Sequence, residues 1–265
     1  MAEVRRRNRI TLMRKKRSKI LGGTVILAVV VICIAFVFLT PFFSMSNRTL
    51  YGNSIVSAEE IWEAAGFTRV TERMGGLRQY PHFFSLTAAQ MENGILKLPY
   101  IKTATVTKSF PNAVTIHVTE RTVSGYVLYQ DMTFIYIDEF GMALEARTYM
   151  ERNLPFIIGL NITHFQVGQY LAVDNPASFS VAVELTQLFK EHGLEIDRID
   201  VSNIFNIRLF IDNMDVLFGN MDNANIKLRN LAAILTLQYP YRVPSIRGTL
   251  DIRNIARDPV FTPMR

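Results

Sequence analysis

Residues 20–39 read ILGGTVILAVVVICIAFVFL, a run of twenty residues without a charge. A helix of that length is about 30 Å long, which matches the hydrocarbon thickness of a bilayer. Because a segment in lipid must satisfy its own backbone hydrogen bonds, we predict one transmembrane helix over residues 20–41. The only cysteine of the chain, Cys33, lies inside it. The rest of the chain therefore cannot use disulfides and must be held by its core.

The nineteen residues before this span are strongly basic. They hold nine of the 29 Lys and Arg residues and one of the 23 acidic residues, so residues 20–265 have 20 basic and 22 acidic side chains. Nucleic acid and an anionic membrane surface both attract such a tail. Its position beside an apolar span favours the membrane, because basic flanks stay in the cytoplasm. We predict a cytoplasmic N-terminus, no nucleic-acid partner, and an extracytoplasmic location for the residues after about Pro41.

A cleaved signal peptide is the alternative interpretation of this N-terminus. Ser44-Met45-Ser46 has the small-x-small pattern of a cleavage site. The apolar region of a signal peptide usually runs for roughly 7–15 residues. The run here is twenty residues long and continues into Pro41-Phe42-Phe43. These features favour an uncleaved anchor.

Residues 42–121 predict the order strand, helix, helix, strand, strand. A β-like run at 42–56 is followed by Ser57, and both Ser57-x-x-Glu60 and Thr87-x-x-Gln90 have the spacing of a capping box at a helix start. Two strands, Ile101–Phe110 and Ala113–Glu120, follow on either side of a turn. This order predicts a small sheet backed by two helices.

Residues 122–253 predict a larger mixed α/β domain with an extended antiparallel sheet, so the fold class of the chain is α+β. Asn175-Pro176 is typical of a helix start, and Gly193 ends that helix. A second helix is predicted at Asp222–Tyr239 and a last strand at Ile246–Arg253. The predicted segments are a basic tail (1–19), a span (20–41), a first domain (42–121), a second domain (122–253) and a loose C-terminal tail (254–265).

The sequence shows no pattern typical of a catalytic or metal site. The histidines, at positions 82, 117, 164 and 192, lie on separate predicted elements without ligand spacing. Walker, dinucleotide-binding and nucleophile-elbow motifs are not found. We predict no enzyme activity, no cofactor, no metal and no small-molecule substrate. Paired carboxylates distant in sequence leave one alternative open, an anchored extracytoplasmic enzyme of the cell wall.

Residues 98–121, LPYIKTATVTKSFPNAVTIHVTER, resemble the end of a POTRA domain of the bacterial FtsQ/DivIB type. Gly52-Asn53 followed by Ser57-x-x-Glu60-Ile61 resembles the opening of the same domain. Ile137-Asp138-x-x-Gly141, residues 154–160 and Gly248-Thr249-Leu250-Asp251-Ile252-Arg253 resemble landmarks of the family's second, β domain. The family often has a proline two residues after the Glu-Arg pair, where this chain has Thr122-Val123-Ser124. This departure leaves the subgroup open.

The resemblance implies a single-pass protein of the bacterial inner membrane, anchored by Ile20–Leu39 and enriched at the division septum. It implies a non-catalytic divisome scaffold that binds FtsB-like and FtsL-like coiled-coil proteins and links them to septal peptidoglycan synthesis. In the family the partner adds a strand to the C-terminal strand, here Ile246–Arg253, beside the helix Asp222–Tyr239. The candidate partner-binding residues are Tyr241, Ile246, Arg247, Thr249, Asp251 and Arg253.

A POTRA-bearing secretion or outer-membrane assembly factor is the second alternative. Such a protein carries a C-terminal barrel of many alternating strands. The region after residue 121 is short for a barrel, and two amphipathic helices are predicted in it. The sequence therefore favours the scaffold over this alternative.

Overall fold

The structure is a computed structural model that describes residues 24–36, 41–67, 80–150, 153–238 and 247–264. Residues 24–36 form a helix, α1. Within the described residues, no helix combines the length and apolar character needed to cross a bilayer. The predicted basic tail and two parts of the predicted span, residues 20–23 and 37–40, lie outside the described residues.

The described residues form two compact units. The first comprises those within 1–51, 58–95 and 104–117, and the second those within 52–57, 96–103 and 118–265.

Residues 41–120, most of which belong to the first unit, form strands and helices in the predicted order. Strand β3 (Ala113–Glu120) lies between β1 (Asn47–Tyr51), to which it is parallel, and β2 (Ile101–Ser109). Helices α2 (Ala58–Ala64) and α3 (Ala88–Ile95) come between β1 and β2 in the chain. Alternate β3 residues are buried, as the period of its sequence predicts.

Helix α3 begins with the predicted capping box and packs closely on α2. The hydroxyl of Thr87 accepts a hydrogen bond from the backbone amide of Gln90 at 3.2 Å. The side-chain oxygen of Gln90 accepts one from the backbone amide of Thr87 at 2.9 Å. Close packing of the two helices requires glycine at position 94, because a Cβ there would lie 2.1 Å from the carbonyl oxygen of Ala64. The predicted loop between the two helices is described only at its ends, because residues 68–79 lie outside the described residues.

The second unit contains a nine-stranded sheet in the order β14-β13-β12-β11-β10-β7-β4-β5-β6. Three of its pairings, β4 with β7, β7 with β10 and β12 with β13, are parallel, so the sheet is mixed where the sequence predicted an antiparallel one. The short strands β8 and β9 form a separate pair. The strands are β4 (Val123–Tyr129), β5 (Thr133–Asp138), β6 (Ala143–Arg147), β7 (Phe156–Ile158), β8 (Ile162–His164), β9 (Ala172–Val173), β10 (Arg198–Asp200), β11 (Ile207–Ile211), β12 (Met214–Gly219), β13 (Gly248–Asp251) and β14 (Val260–Pro263).

Two helices, α4 (Pro176–His192) and α5 (Ala224–Gln238), share one apolar core with one face of this sheet. The start and end of α4 are those predicted. The Asn175 side chain accepts hydrogen bonds from the amides of Ala177 and Ser178, and Gly193 ends the helix in the left-handed conformation. The core joins Leu185 and Phe189 of α4 with Leu228 of α5 and with alternate strand residues.

Helix α5 begins two residues later than predicted. Asp222 does not occupy the N-cap position, because the helix begins at Ala224, and its carboxylate accepts a hydrogen bond from the Asn220 side chain. The carbonyl of Asn223, a residue with φ of 56°, instead accepts hydrogen bonds from the amides of Ile226 and Lys227. The described helix ends at Gln238, and the predicted stop at Pro240 lies outside the described residues.

Candidate partner-binding edge

Four of the six candidate residues lie on or beside β13. Arg247 and Arg253 are exposed at its ends, and Thr249 and Asp251 are half-buried within it. The other two candidates, Tyr241 and Ile246, lie outside the described residues. The predicted strand Ile246–Arg253 is therefore observed as the shorter strand Gly248–Asp251.

Strand β13 is not at the edge of the sheet, which corrects the prediction that it is the last strand. It pairs in parallel with β12 on one side and antiparallel with β14 on the other. Strand β14 lies within the segment predicted as a loose tail. It is held there because Phe261 pairs with Leu250 and joins the apolar core. Gly248 leaves room for that ring, since a Cβ at this position would lie 2.4 Å from its Cζ atom.

The outer edge of β14 offers few backbone donors. The Met264 amide donates to the Arg247 carbonyl at 2.9 Å, so alternate residues from 264 back to 260 turn their backbone groups towards β13. The intervening residues, 261 and 263, turn theirs outwards. Pro263 has no amide hydrogen, which leaves Phe261 as the outward donor of this strand. Prolines at outward positions are a usual protection of a sheet edge.

Asp251 and Arg253 bind each other beside this edge. Arg253 donates from Nε to Oδ1 of Asp251 at 3.0 Å and from Nη2 to Oδ2 at 2.6 Å. The hydrogen bond from Arg253 lowers the pKa of Asp251, with a smaller contribution from the Arg253 backbone amide. The same hydrogen bond raises the pKa of Arg253. Both side chains remain partly exposed, so the pair presents a polar surface next to β14.

The sheet face opposite the helices carries a row of aromatic and arginine side chains that sequence reasoning missed. Tyr136, Tyr126, Phe156, Arg198 and Phe210 are cross-strand neighbours on five adjacent strands. The rings of Tyr126 and Phe156 stack with centroids 5.3 Å apart, and the Arg198 guanidinium lies 3.9 Å from the centroid of Phe210. Tyr126 and Tyr136 are buried. The row therefore stabilises this face of the sheet through ring stacking and cation–π contacts.

The Glu-Arg pair that ends the POTRA-like sequence has two separate structural roles. The Glu120 carboxylate accepts hydrogen bonds from three consecutive amides, those of Ser54, Ile55 and Val56, at 2.8–3.0 Å. It thereby fixes the loop after β1.

Arg121 bonds instead to the carboxylate of Asp138 at 2.7 Å. The other oxygen of Asp138 accepts from the amides of Phe140 and Met142 at 2.9 Å, which forms the turn between β5 and β6. Asp138 is 1% exposed.

Where the structure describes the chain, no group of three or more His, Cys, Asp or Glu side chains is arranged to hold a metal ion. The histidines lie in unrelated surroundings. His82 packs against Phe43 and Phe84, His117 stacks on Tyr51 with centroids 4.8 Å apart, and His192 lies 3.1 Å from the Asn225 side chain.

Comparison with known proteins identifies the domain that the Glu-Arg pair closes. Residues 43–121 match the family model of the FtsQ-type POTRA domain. The chain is similar to the cell division protein DivIB of Clostridium acetobutylicum, at 24% identity over 223 residues, which cover 84% of each chain. It is also similar to DivIB of Clostridium tetani, at 24% identity over 77% of this chain and 74% of that one. A shorter match, 29% identity over 43% of each chain, links it to DivIB of Bacillus cytotoxicus. These matches agree with the order of elements and with the Glu-Arg motif, and the chain belongs to the FtsQ/DivIB family of cell division proteins.

Proposed function

We propose that the chain is a membrane-anchored divisome scaffold of the bacterial inner membrane, enriched at the division septum. The observation that carries the proposal is the FtsQ-type POTRA domain at residues 43–121, in a chain whose match to DivIB covers 84% of both proteins. In this proposal residues 1–19 are a cytoplasmic tail, residues 20–41 span the membrane, and residues 42–121 and 122–253 are two extracytoplasmic domains. The chain binds and positions its partners, and catalysis belongs to other proteins of the septum.

The proposed partners are coiled-coil membrane proteins of the FtsB and FtsL type, bound by strand addition at the C-terminal edge. Because β14 covers β13, the strand open to a partner is Val260–Pro263. The partner's amides would donate to the outward carbonyls of Phe261 and Pro263, and the outward amide of Phe261 would donate back. So short a ladder gives limited affinity, and side chains beside it must supply most of the specificity.

The side chains best placed for that contribution lie on the open face of β13 and β14. Thr262 of β14 pairs with Thr249 of β13, and Asp251 pairs with Val260, which is 59% exposed. The Asp251–Arg253 pair adds one carboxylate and one guanidinium at the end of this row. The proposal therefore keeps Arg247, Thr249, Asp251 and Arg253 as contact residues and adds Val260 and Thr262. Tyr241 and Ile246 remain proposed contacts from the sequence alone.

Site-specific photo-crosslinking tests this proposal in membranes of dividing cells. A photoreactive residue placed at Thr262 in the full-length chain should capture a small membrane protein with a heptad-repeat sequence. The matched control is Ala146, an exposed residue on β6 at the opposite edge of the same sheet. Equal capture from the two edges, or capture from Ala146 alone, would contradict strand addition at β14.

A further inference from the structure

Three exposed phenylalanines of the first unit surround one that is buried. Phe42, Phe84 and Phe110 are 59%, 54% and 66% exposed, whereas Phe43 is 8% exposed. The centroid of the Phe43 ring lies 5.1 Å from that of Phe42, 6.0 Å from that of Phe84 and 5.7 Å from that of Phe110. We call these four residues the aromatic patch.

Backbone hydrogen bonds hold the aromatic patch in place. It is built from three segments, namely the 3-10 turn Pro41–Phe43, the loop that contains Phe84, and the turn between β2 and β3. The Phe83 amide donates to the Phe43 carbonyl at 2.7 Å, which joins the first two segments. The Lys108 ammonium, on β2, donates to the carbonyls of Phe83 and Leu86. These bonds join the loop that contains Phe84 to the end of β2, which leads into the turn between β2 and β3. The rings are thus exposed by the fold of the unit.

The exposed rings form an apolar surface of appreciable size. A phenylalanine side chain has about 200 Å² of surface, so the three exposed rings present on the order of 350 Å². The largest apolar patch on a typical monomer covers about 300–600 Å² and is often a functional contact surface. The aromatic patch is therefore expected to have an occupant.

The position of the patch along the chain points to the membrane as that occupant. Only two residues, Thr40 and Pro41, separate Phe42 from Leu39, the last residue of the apolar run within the predicted span. Three residue steps cover at most about 10 Å even when fully extended. The headgroup layer outside the hydrocarbon core is about 5–8 Å thick on each side of a bilayer. Phe42 is therefore tethered within or just above that layer, together with the rings packed around Phe43.

We propose that the aromatic patch inserts into the headgroup layer of the membrane that holds residues 20–41, and so fixes how the first unit stands on the bilayer. The inference rests on the proposed membrane anchor. Aromatic rings are favoured at this depth because they leave water while the backbone behind them stays hydrated. The lipid surface would replace water at Phe42, Phe84 and Phe110 and leave the buried Phe43 unchanged.

Spin labels on the full-length chain in phosphatidylethanolamine–phosphatidylglycerol vesicles test this inference. One label is placed by Phe84→Cys and a control label by Phe205→Cys, both in a Cys33→Ala background. Phe205 suits the control because it is a phenylalanine that is 77% exposed and lies outside the patch. At position 84 we expect high accessibility to oxygen and several-fold lower accessibility to a water-soluble nickel chelate than at position 205. Equal nickel accessibility at the two sites would overturn the inference, as would low accessibility of position 84 to both reagents, which indicates a protein contact.

A third label separates this inference from the anchor on which it rests. On native Cys33, a label protected from nickel and accessible to oxygen supports the span, whatever position 84 shows. If Cys33 is accessible to nickel, the anchor fails and the inference fails with it. As a second variant, Phe42→Ser with Phe110→Ser in the labelled Phe84→Cys chain should raise nickel accessibility at position 84. No change in that variant would contradict insertion of the patch as a unit.

Discussion

The ion pair between Arg121 and Asp138 gives the sharpest quantitative prediction. Asp138→Asn keeps the shape of the side chain and an oxygen for the turn amides, but it places an amide against the Arg121 guanidinium. The Arg121 side chain is 16% exposed and that of Asp138 is 2% exposed, so the remaining positive charge has little water to replace its partner. The Nε atom of Arg121 is already buried without a hydrogen-bond partner among the described residues. The variant therefore leaves a buried charge without its hydrogen-bonded partner.

Breaking a buried pair in this way costs about 3–5 kcal/mol. Because Asp138→Asn keeps the hydrogen bonds from the amides of Phe140 and Met142, we expect the lower end, about 3 kcal/mol. Asp138→Ala removes those two bonds as well and should cost more, since each bond to a charged acceptor contributes about 1.5–3 kcal/mol. Arg121→Met combined with Asp138→Asn should recover much of the loss, because no unpaired charge remains.

Amide hydrogen exchange of the full-length chain in detergent measures these costs. The slowest amides of β5, which lies between β4 and β6 in the sheet, report the opening of the second unit. A loss of about 3 kcal/mol should speed their exchange by more than about 100-fold, at 1.36 kcal/mol for each factor of ten. The control is Asp251→Asn, which breaks a partly exposed pair and should cost no more than about 1 kcal/mol. Either of two results would contradict this prediction: a change in exchange for Asp138→Asn as small as that for the control, or a loss in the double variant equal to the sum of the losses for Arg121→Met and Asp138→Asn measured separately.

Three further predictions concern single contacts. Glu120→Gln should speed exchange at the amides of residues 54–56, because a neutral acceptor binds three amides less strongly than a carboxylate does; unchanged protection there would count against the role of Glu120. Gly248→Ala should cost about 1–3 kcal/mol through overpacking against Phe261 and should release β14, which a loss of exchange protection at Thr262 would show. In a carboxyl NMR titration Asp251 should titrate below its usual value of about 3.9, and Arg253→Gln should raise that midpoint. Since the folded pKa is the lower one, the contribution of this pair to stability is present above about pH 4 and is lost as the pH falls through the lowered pKa.

Local signals in the sequence predicted the helices with clear ends. Helix α4 starts after Asn175 and ends at Gly193, and α3 starts with the capping box of Thr87 and Gln90. These ends are predictable because the groups that form them bond to backbone groups only a few residues away. Strict alternation predicted β3 for a similar reason. The order of elements in the first unit followed from such signals together.

Contacts between distant residues account for what the sequence did not predict. The prolines at the borders of strand β14 are typical of an irregular tail, so the sequence does not predict a strand there. The pairing of β14 depends on the space above Gly248, which lies in another strand. The row from Tyr136 to Phe210 depends on strand order, since parallel pairing brings Phe156 beside Arg198 across more than forty residues. The role of Glu120 depends on a loop more than sixty residues earlier. In each case the residues were visible in the sequence, but the neighbour that gives them their role was not.

Fluorescence microscopy of dividing cells tests whether this chain acts in the bacterial divisome. A fluorescent protein fused to the N-terminus of the full-length chain, ahead of the basic tail, keeps the proposed extracytoplasmic domains unmodified. We expect a band of fluorescence at midcell that forms before constriction and persists while the septum closes. Fluorescence that stays evenly distributed around the cell envelope throughout division would contradict it.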